Sequence, residues 1–119
     1  MLLLLLPLLF IIMPEIRAKS DEARRILEAA SEGNRSALES EAVSNHTLRT
    51  AICHSGCSAL HWAAGCNQIA VLEYLVLQRK VPVDLPAVKK SRDRTPLHYA
   101  GRNGCLEAAR WLVAHGAHP

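Results

Sequence analysis

Apolar residues recur at the spacing of an amphipathic helix in two separate stretches of the chain. The stretch near the C-terminus contains Leu106, Ala109, Trp111, Leu112 and Val113. The upstream stretch contains Ile69, Val71, Leu72, Tyr74, Leu75 and Val76. Because this spacing places the apolar side chains on one face of a helix, the pattern predicts two helices that each bury one side.

A shorter helical segment is predicted immediately before each of these helices. Pro96 suits the first turn of a helix, where its missing N–H leaves no hydrogen bond unmade, and Thr95 can cap the exposed amides. Small residues follow at Ala100 and Gly101, which let a neighbouring helix approach closely. Gly104 then ends the segment, since glycine readily adopts a left-handed conformation. Each unit is therefore predicted to be a short helix, a turn and a longer helix.

The same six-residue pattern opens both units. The downstream copy is Thr95-Pro96-Leu97-His98-Tyr99-Ala100, and the upstream copy is Ser58-Ala59-Leu60-His61-Trp62-Ala63. The pattern resembles the T-P-L-H-x-A signature of the ankyrin repeat, which recurs about every 33 residues. The resemblance implies an all-α ankyrin-repeat solenoid of stacked antiparallel helix pairs with short projecting hairpins.

The resemblance also implies structural roles for the signature residues. The two histidines are expected to hydrogen-bond backbone groups within and between repeats. The signature residues are Thr95, Pro96, Leu97, His98, Leu60 and His61. If Leu97 is fully buried, its replacement by alanine is expected to lower the free energy of unfolding by roughly 2–5 kcal/mol.

The chain is predicted to divide into four segments. These are a hydrophobic leader over residues 1–19, a degenerate N-terminal repeat over 20–50, and two clearer repeats over 51–86 and 87–119. The first repeat is atypical, as terminal repeats commonly are, because one of its faces meets water. His61 and His98 lie 37 residues apart, so a few residues are inserted relative to the family period, and residues 81–90 are the expected place.

The leader contains an apolar run over residues 2–13 whose role the sequence leaves open. The run is shorter than the roughly 20 apolar residues that span a bilayer, and it has the length of a signal-peptide core. No Lys or Arg precedes it, whereas Arg17 and Lys19 follow it, which argues against a signal peptide. The alternatives are secretion or membrane association through this run, a hydrophobic tail on an intracellular protein, and a gene-prediction artefact.

The four cysteines permit two disulfides, but their spacing matches no disulfide framework, so free thiols in an intracellular protein are favoured. They are Cys53, Cys57, Cys66 and Cys105. The spacing Cys53-x3-Cys57-x3-His61 offers zinc its preferred thiolate and imidazole ligands. The spacing is not a usual zinc-finger pattern, however, and His61 is expected to be structural. We therefore predict no metal and no other cofactor.

Catalysis and nucleic-acid binding both have little support in the sequence. We recognise no nucleophile oriented by a base and an acid, and no glycine-rich phosphate loop, so we predict no small-molecule substrate. The net charge is only +3, whereas duplex binding normally requires a pronounced basic patch. Trp62, Tyr99 and Trp111 are predicted to pack rather than to stack on bases. Electrostatic nucleic-acid binding is the weakest alternative.

The family resemblance implies that partner contacts lie on the hairpins and at the ends of the first helices. The corresponding residues are Ser91, Arg92, Arg94, Arg102 and Asn103 in the last repeat, and His54, Ser55, Cys57 and Cys66 in the one before. Arginine presents forked donors that match carboxylates, and Lys89 and Lys90 add charge to the same hairpin. The hypothesis is that an acidic protein segment binds here, and the alternative is an ordinary solvated surface.

The last hairpin departs from the family pattern. Asp93 stands where the family usually has a glycine, which Gly56 keeps in the preceding repeat, so the last hairpin is expected to be distorted. The predicted function is non-catalytic protein–protein interaction by a scaffold or adaptor whose partner the sequence does not identify. The alternative is a membrane- or secretory-pathway adaptor anchored by residues 2–13.

Overall fold

The computed structural model of the 119-residue chain describes residues 16–40, 44–88 and 93–118. Their helices are α1 (Asp21–Glu32), α2 (Arg35–Ser40), α3 (Asn45–Thr50), α4 (Ala59–Gly65), α5 (Ile69–Glu73), α6 (Pro96–Arg102) and α7 (Leu106–Ala114). A π-helical turn, Tyr74–Gln78, continues α5. Extended pairing among the described residues is limited to isolated bridges, which confirms the all-α prediction. The apolar run over residues 2–13 lies outside the described residues.

The helices pack in two rows. Helix α4 packs between α1 and α6, so the first helices of the three repeats lie side by side, and α5 packs against α7 in the second row. Ala63 of α4 and Ala100 of α6 are fully buried. Because neither side chain extends beyond a methyl group, the helices of neighbouring repeats approach closely. The solenoid architecture predicted from the signature is therefore present.

Each first helix ends at a residue in the left-handed conformation. These residues are Gly33, Asn67 and Gly104, with φ angles of 77°, 58° and 72°. The next N–H in each case returns to the carbonyl of an alanine five positions earlier, at 2.8, 2.9 and 2.8 Å. This bond satisfies a carbonyl at the helix end that otherwise has no partner. Asn67 can replace glycine because a short polar side chain tolerates the left-handed region better than most residues.

The first repeat is the least regular of the three. Its second helix, α2, spans only Arg35–Ser40, and Ser44 caps a separate helix, α3, by accepting a hydrogen bond from the Thr47 N–H at 3.1 Å. Leu38 and Leu48 nevertheless are 0% and 1% exposed. One buried leucine per short helix thus ties this repeat to the core.

The two signature leucines differ in burial. Leu60 is 1% exposed, whereas Leu97 is only half-buried, so the full burial considered for Leu97 from the sequence is wrong. The reason is that α4 has a helix on both sides, while among the described residues α6 has a first-helix neighbour, α4, on one side only. Leu106 and Val113 of α7 are likewise exposed, at 66% and 47%.

The 37-residue spacing of the signature histidines has two sources. Three residues stand between Cys53 and Cys57 in one hairpin, and six stand between the matching residues Ala87 and Arg94 in the next. These pairs match because each joins an N–H to a carbonyl across its hairpin, at 3.0 and 2.8 Å. The fourth extra residue is accommodated by the π-helical turn Tyr74–Gln78, since a π turn holds one residue more than an α turn. The four extra residues are thus split between the last hairpin and the π-helical turn. The three in the hairpin lie between Ala87 and Arg94, which overlaps only the end of the predicted range, residues 81–90.

The three aromatic residues predicted to pack do so. Trp62, Tyr99 and Trp111 are partly buried against the core. The Tyr99 ring meets the His61 ring edge-on at 5.6 Å between centroids, and Trp111 stacks on His115 at 3.8 Å.

Candidate protein-binding surface

The hairpin of residues 52–58 closes in a tight turn. The Cys53 N–H donates to the Cys57 carbonyl at 3.0 Å, and the Gly56 N–H donates to the Cys53 carbonyl at 2.9 Å. Gly56 has a φ of 91°, a left-handed conformation that closes short hairpin connections. Glycine adopts this conformation without strain, which suits it to close this hairpin.

Two of the predicted contact residues occupy the tip of this hairpin. His54 and Ser55 are exposed, as a surface that touches a partner requires. Cys57 is 6% exposed, because its side chain lies in the hydrophobic core cluster. Little of Cys57 is therefore available to a partner, and its predicted contact role stays a prediction.

Neighbouring hairpins are joined by backbone hydrogen bonds. The His54 N–H donates to the Arg17 carbonyl at 2.7 Å on one side of the 52–58 hairpin. On the other side, the Val88 N–H donates to the Gly56 carbonyl at 3.0 Å. Three extended segments from different parts of the chain thus form one continuous row.

The last hairpin repeats the pattern of the preceding one despite its extra length. The Ala87 N–H donates to the Arg94 carbonyl at 2.8 Å, and the Asp93 N–H donates to the Ala87 carbonyl at 3.0 Å. Asp93 adopts a φ of 59° and so takes over the conformation of the usual glycine. The expected distortion is limited to the longer connection. Ser91 and Arg92, together with the Lys89-Lys90 pair, lie outside the described residues.

His61 joins the second repeat to the third. Its Nδ1 accepts the Ser58 N–H at 3.1 Å, and its Nε2 lies 2.9 Å from the Arg94 carbonyl oxygen. Since Nδ1 accepts a hydrogen bond, the ring proton is on Nε2, which donates to Arg94. Both ring nitrogens are engaged with protein atoms, so this histidine is not placed to bind zinc together with Cys53 and Cys57.

We expect the stability of the fold to fall as the pH drops below about 6.5. Burial lowers the pKa of His61 below its ordinary value of 6.5, although its hydrogen bond to Arg94 opposes this shift. The unfolded chain then binds a proton that the folded chain does not, so the free energy of unfolding increases with pH in this range. Urea titrations at several pH values between about 5 and 8 would measure this slope.

The matched control for the pH prediction is the equivalent exposed histidine. His61→Gln should remove the His61 part of this slope between about pH 5.5 and 6.5, so the slope becomes smaller. It does not vanish, because the pKa of Cys53, lowered to about 4 chiefly by the hydrogen bond from the Cys57 side chain, adds a slope of the same sign. His98→Gln, which removes an exposed histidine, should keep the wild-type slope. An unchanged slope in the His61→Gln variant would contradict the assignment.

His98 makes the local half of the same arrangement. Its Nδ1 accepts the Thr95 N–H at 2.9 Å, and its side chain is exposed. Pro96 beside it is fully buried in the first turn of α6. Among the described residues, no hydrogen bond joins His98 to another repeat.

Polar side chains join the ends of the first helices in successive repeats. Asn103 donates through Nδ2 to the Gly65 carbonyl at 2.9 Å, and Gln68 donates through Nε2 to the Ser31 carbonyl at 2.9 Å. Asn67 Oδ1 accepts the N–H of Ala108 in the first turn of α7 at 3.0 Å. These residues hold the stack together, a role that the sequence interpretation missed. The available signal was the recurrence of Asn or Gln beside each helix-ending turn.

The two described arginines of the predicted surface have no internal carboxylate partner. Arg94 and Arg102 are exposed, and no described carboxylate lies within 4.0 Å of either guanidinium. By contrast, Arg35 pairs with Glu39 at 2.8 Å within its own helix. The positive charge of the last repeat is therefore presented to solvent.

The four cysteines all lie in the described part of the chain, and none is joined in a disulfide. Cys66 is half-buried; burial raises the pKa of its thiol, and the nearby Cys105 adds to that effect. Cys105 itself lies 3.3 Å from the Gly65 carbonyl oxygen through Sγ. Across the described residues, no three His, Cys, Asp or Glu side chains converge as a metal-binding group.

A comparison with protein families matches residues 26–119 to a model that describes three copies of the ankyrin repeat. Over 62 residues the chain is 37% identical to Palmitoyltransferase AKR1 of Lachancea kluyveri, a match that covers 52% of this chain and 8% of that protein. Over 59 residues it is 39% identical to Ankyrin repeat domain-containing protein 49 of Bos taurus, covering 49% of this chain and 23% of that protein. The matches span less than a quarter of either relative.

The helices of the described segments do not combine the length and apolar composition that a bilayer crossing requires. The repeated helix pairs, the left-handed turns and the family match over residues 26–119 all agree. Ankyrin repeats support protein interaction, and this chain belongs to the ankyrin-repeat family.

Proposed function

We propose that the protein binds a partner protein, without catalysis, through its row of hairpins and the ends of its first helices. The observation that carries the proposal is the hydrogen-bonded row, which fixes the exposed residues His54 and Ser55 of one hairpin beside the hairpin that ends at Arg94. A rigid row presents these side chains without the ordering cost that a mobile loop would add on binding.

The charges of the last repeat favour an acidic segment as the partner's contact. Arg94 and Arg102 have no described carboxylate within reach, so an incoming Asp or Glu side chain can pair with them without breaking an existing ion pair. Guanidinium groups bind carboxylates through two parallel hydrogen bonds, and a hydrogen bond to a charged group contributes roughly 1.5–3 kcal/mol.

The test is recovery of natural partners by the full chain and by Arg94→Ala/Arg102→Ala. Partners captured from a native lysate are quantified by mass spectrometry for each bait, at low and at high salt. We expect the double variant to weaken binding by about tenfold or more, because tenfold in affinity corresponds to about 1.4 kcal/mol. We also expect capture by the wild type to fall with salt, since charge pairs at a surface are screened.

The matched control removes the same charge elsewhere. Lys80→Ala/Arg110→Ala deletes two exposed positive charges, one just after the π-helical turn and one in α7, and should retain the partners. Equal recovery by all three baits would refute a role for Arg94 and Arg102. Capture that disappears after nuclease treatment would instead support nucleic-acid binding.

The proposal does not extend palmitoyl transfer to this chain. The shared segment is 8% of the palmitoyltransferase, and this chain offers no separate catalytic site that we recognise among its described residues. His61 is engaged through both ring nitrogens, which leaves it no free nitrogen to act as a base.

Membrane or secretory association is the second candidate, and the apolar run over residues 2–13 favours it. In this case the repeats would recruit the protein partner to a membrane. Intact-mass measurement of the N-terminus, combined with fractionation, tests this role. If residues 1–18 are retained and the protein is found wholly in the soluble fraction, the apolar run does not anchor it to a membrane.

A further inference from the structure

The hairpin of residues 52–58 brings two thiols together at its closed end. Cys53 and Cys57 face each other across the turn, joined by a backbone hydrogen bond of 3.0 Å. Residues that face each other across an antiparallel pair have Cα atoms about 4.5–5.5 Å apart, which lies within the range that a disulfide spans. The Cys57 side chain also acts as a hydrogen-bond partner of the Cys53 side chain, so the two thiols are neighbours.

The surroundings of Cys53 stabilise a thiolate. The Ser55 hydroxyl lies 3.0 Å from the Cys53 sulfur. The hydrogen bond from the Cys57 side chain, opposed by burial and supported by hydrogen bonds from Ser55 and from the backbone, lowers the pKa of Cys53 to about 4. A thiolate is the nucleophilic form of cysteine, and the thiol across the same hairpin is placed to complete a disulfide.

The other thiols have a different environment. Burial raises the pKa of Cys66, and Cys105 directs its thiol to the Gly65 carbonyl. Among the described residues, no hydrogen-bond donor that would stabilise a thiolate is seen at Cys66 or Cys105, in contrast to Cys53.

We propose that Cys53 and Cys57 form a peroxide-sensitive thiol pair that closes to a disulfide across the 52–58 hairpin. The site goes beyond the proposed partner binding and does not depend on it. Its oxidant is hydrogen peroxide or a small organic hydroperoxide. The side chains are 4% and 6% exposed but adjoin the exposed residues of the hairpin tip, so a small oxidant is better suited to this site than a bulky one.

The chemistry proceeds in two balanced steps. The Cys53 thiolate attacks one peroxide oxygen, the S–O bond forms, the O–O bond breaks, and the leaving hydroxide takes a proton from solvent to become water. The Cys57 sulfur then attacks the Cys53 sulfur, the S–S bond forms, the S–O bond breaks, and the hydroxide leaves as water with the Cys57 proton. The two sulfurs lose two electrons in total, and one peroxide is reduced to two water molecules.

Closing the disulfide changes the hairpin that carries the proposed contacts. The Cys53 sulfur would no longer accept the Ser55 hydroxyl as a thiolate does, so the tip residues His54 and Ser55 lose one of the bonds that position them. Oxidation would then alter the binding surface locally, because the flanking backbone bond between Cys53 and Cys57 is compatible with the disulfide.

The test exposes the folded full chain to about one equivalent of hydrogen peroxide, a stoichiometry set by the single disulfide expected. Remaining thiols are alkylated in denaturant, and the modified cysteines are located by fragmentation of the peptides. We expect the loss of two alkylation sites, at Cys53 and Cys57, with Cys66 and Cys105 still alkylated. The same treatment of the chain unfolded in urea should lose this selectivity.

Two variants separate the steps. Cys57→Ser should abolish the disulfide and increase sulfenic-acid labelling of Cys53 by dimedone several-fold, because the second thiol is gone. Cys66→Ser/Cys105→Ser should form the disulfide as the wild type does. Full alkylation of Cys53 and Cys57 in the treated, folded wild type would overturn the proposal, as would a disulfide that forms between Cys66 and Cys105 instead. Since the readout needs no partner, its failure is distinguishable from failure of the binding proposal.

Discussion

Leu60→Ala should lower the free energy of unfolding by about 3–5 kcal/mol, whereas Leu97→Ala should lower it by only about 1–2 kcal/mol. Both leucines hold the same signature position in successive repeats, so the chemical change and the local helix are matched. Leu60 is 1% exposed in α4, between the first helices of its two neighbours, and Leu97 is half-buried in α6. Truncation of Leu60 leaves a cavity enclosed on both sides, while the space left by Leu97 opens to solvent.

Urea unfolding of the two variants and the wild type, with the slope of the transition compared as well as its midpoint, measures this difference. Helical content in the absence of denaturant confirms that each variant still folds. Equal losses in the two variants would contradict the burial difference and would show that α6 is covered as fully as α4 in solution.

Features set by short stretches of sequence could be predicted well. The apolar spacing predicted the second helix of each repeat. Thr95 and Pro96 marked the start of α6, and Gly104 marked the turn that ends it. These features could be predicted because periodicity, capping and left-handed turns depend on residues that are neighbours in the sequence. The family signature then supplied the way in which the helices stack. The match over residues 26–119 confirms that recognition.

Features set by contacts between distant residues could not be predicted. Leu97 carries the same signature as Leu60, yet its burial depends on what packs against the far side of its helix. Asn103 was interpreted as a contact residue, but its side chain bonds to Gly65, which is 38 positions away. Cys57 faces the core because the hairpin turn directs it there, and spacing alone does not give that direction.

The candidate surface was predicted less completely than the fold. His54, Ser55, Arg94 and Arg102 are exposed as a contact role requires, and that role stays a prediction. No pattern in the sequence indicated that backbone hydrogen bonds would join the hairpins into one row. Extended segments at the edge of a helical fold have free N–H and C=O groups, and pairing them with each other satisfies those groups.

Gly56→Ala should be among the most destabilising single changes in the chain, lowering the free energy of unfolding by about 3 kcal/mol or more. Gly56 has a φ of 91°, where an alanine is strained by roughly 1–2 kcal/mol. In addition, a Cβ at this position would overlap the Val88 carbonyl oxygen of the next hairpin. Because that atom belongs to the backbone, the clash is relieved only if the hairpins separate, which breaks the bond from the Val88 N–H to the Gly56 carbonyl.

Gly104→Ala provides the matched control, since Gly104 also has a left-handed φ, 72°, but a Cβ there meets no atom within 4 Å. Gly104→Ala should lower the free energy of unfolding only by the strain of an alanine in the left-handed conformation, about 1–2 kcal/mol. The additional loss in Gly56→Ala then measures the contact between the hairpins. Gly101→Ala, in a helix and in open space, should be neutral or stabilising by up to about 1 kcal/mol. If Gly56→Ala and Gly104→Ala lose the same stability, the hairpins are not held in contact. The proposed binding surface would then lack the rigid row on which it depends.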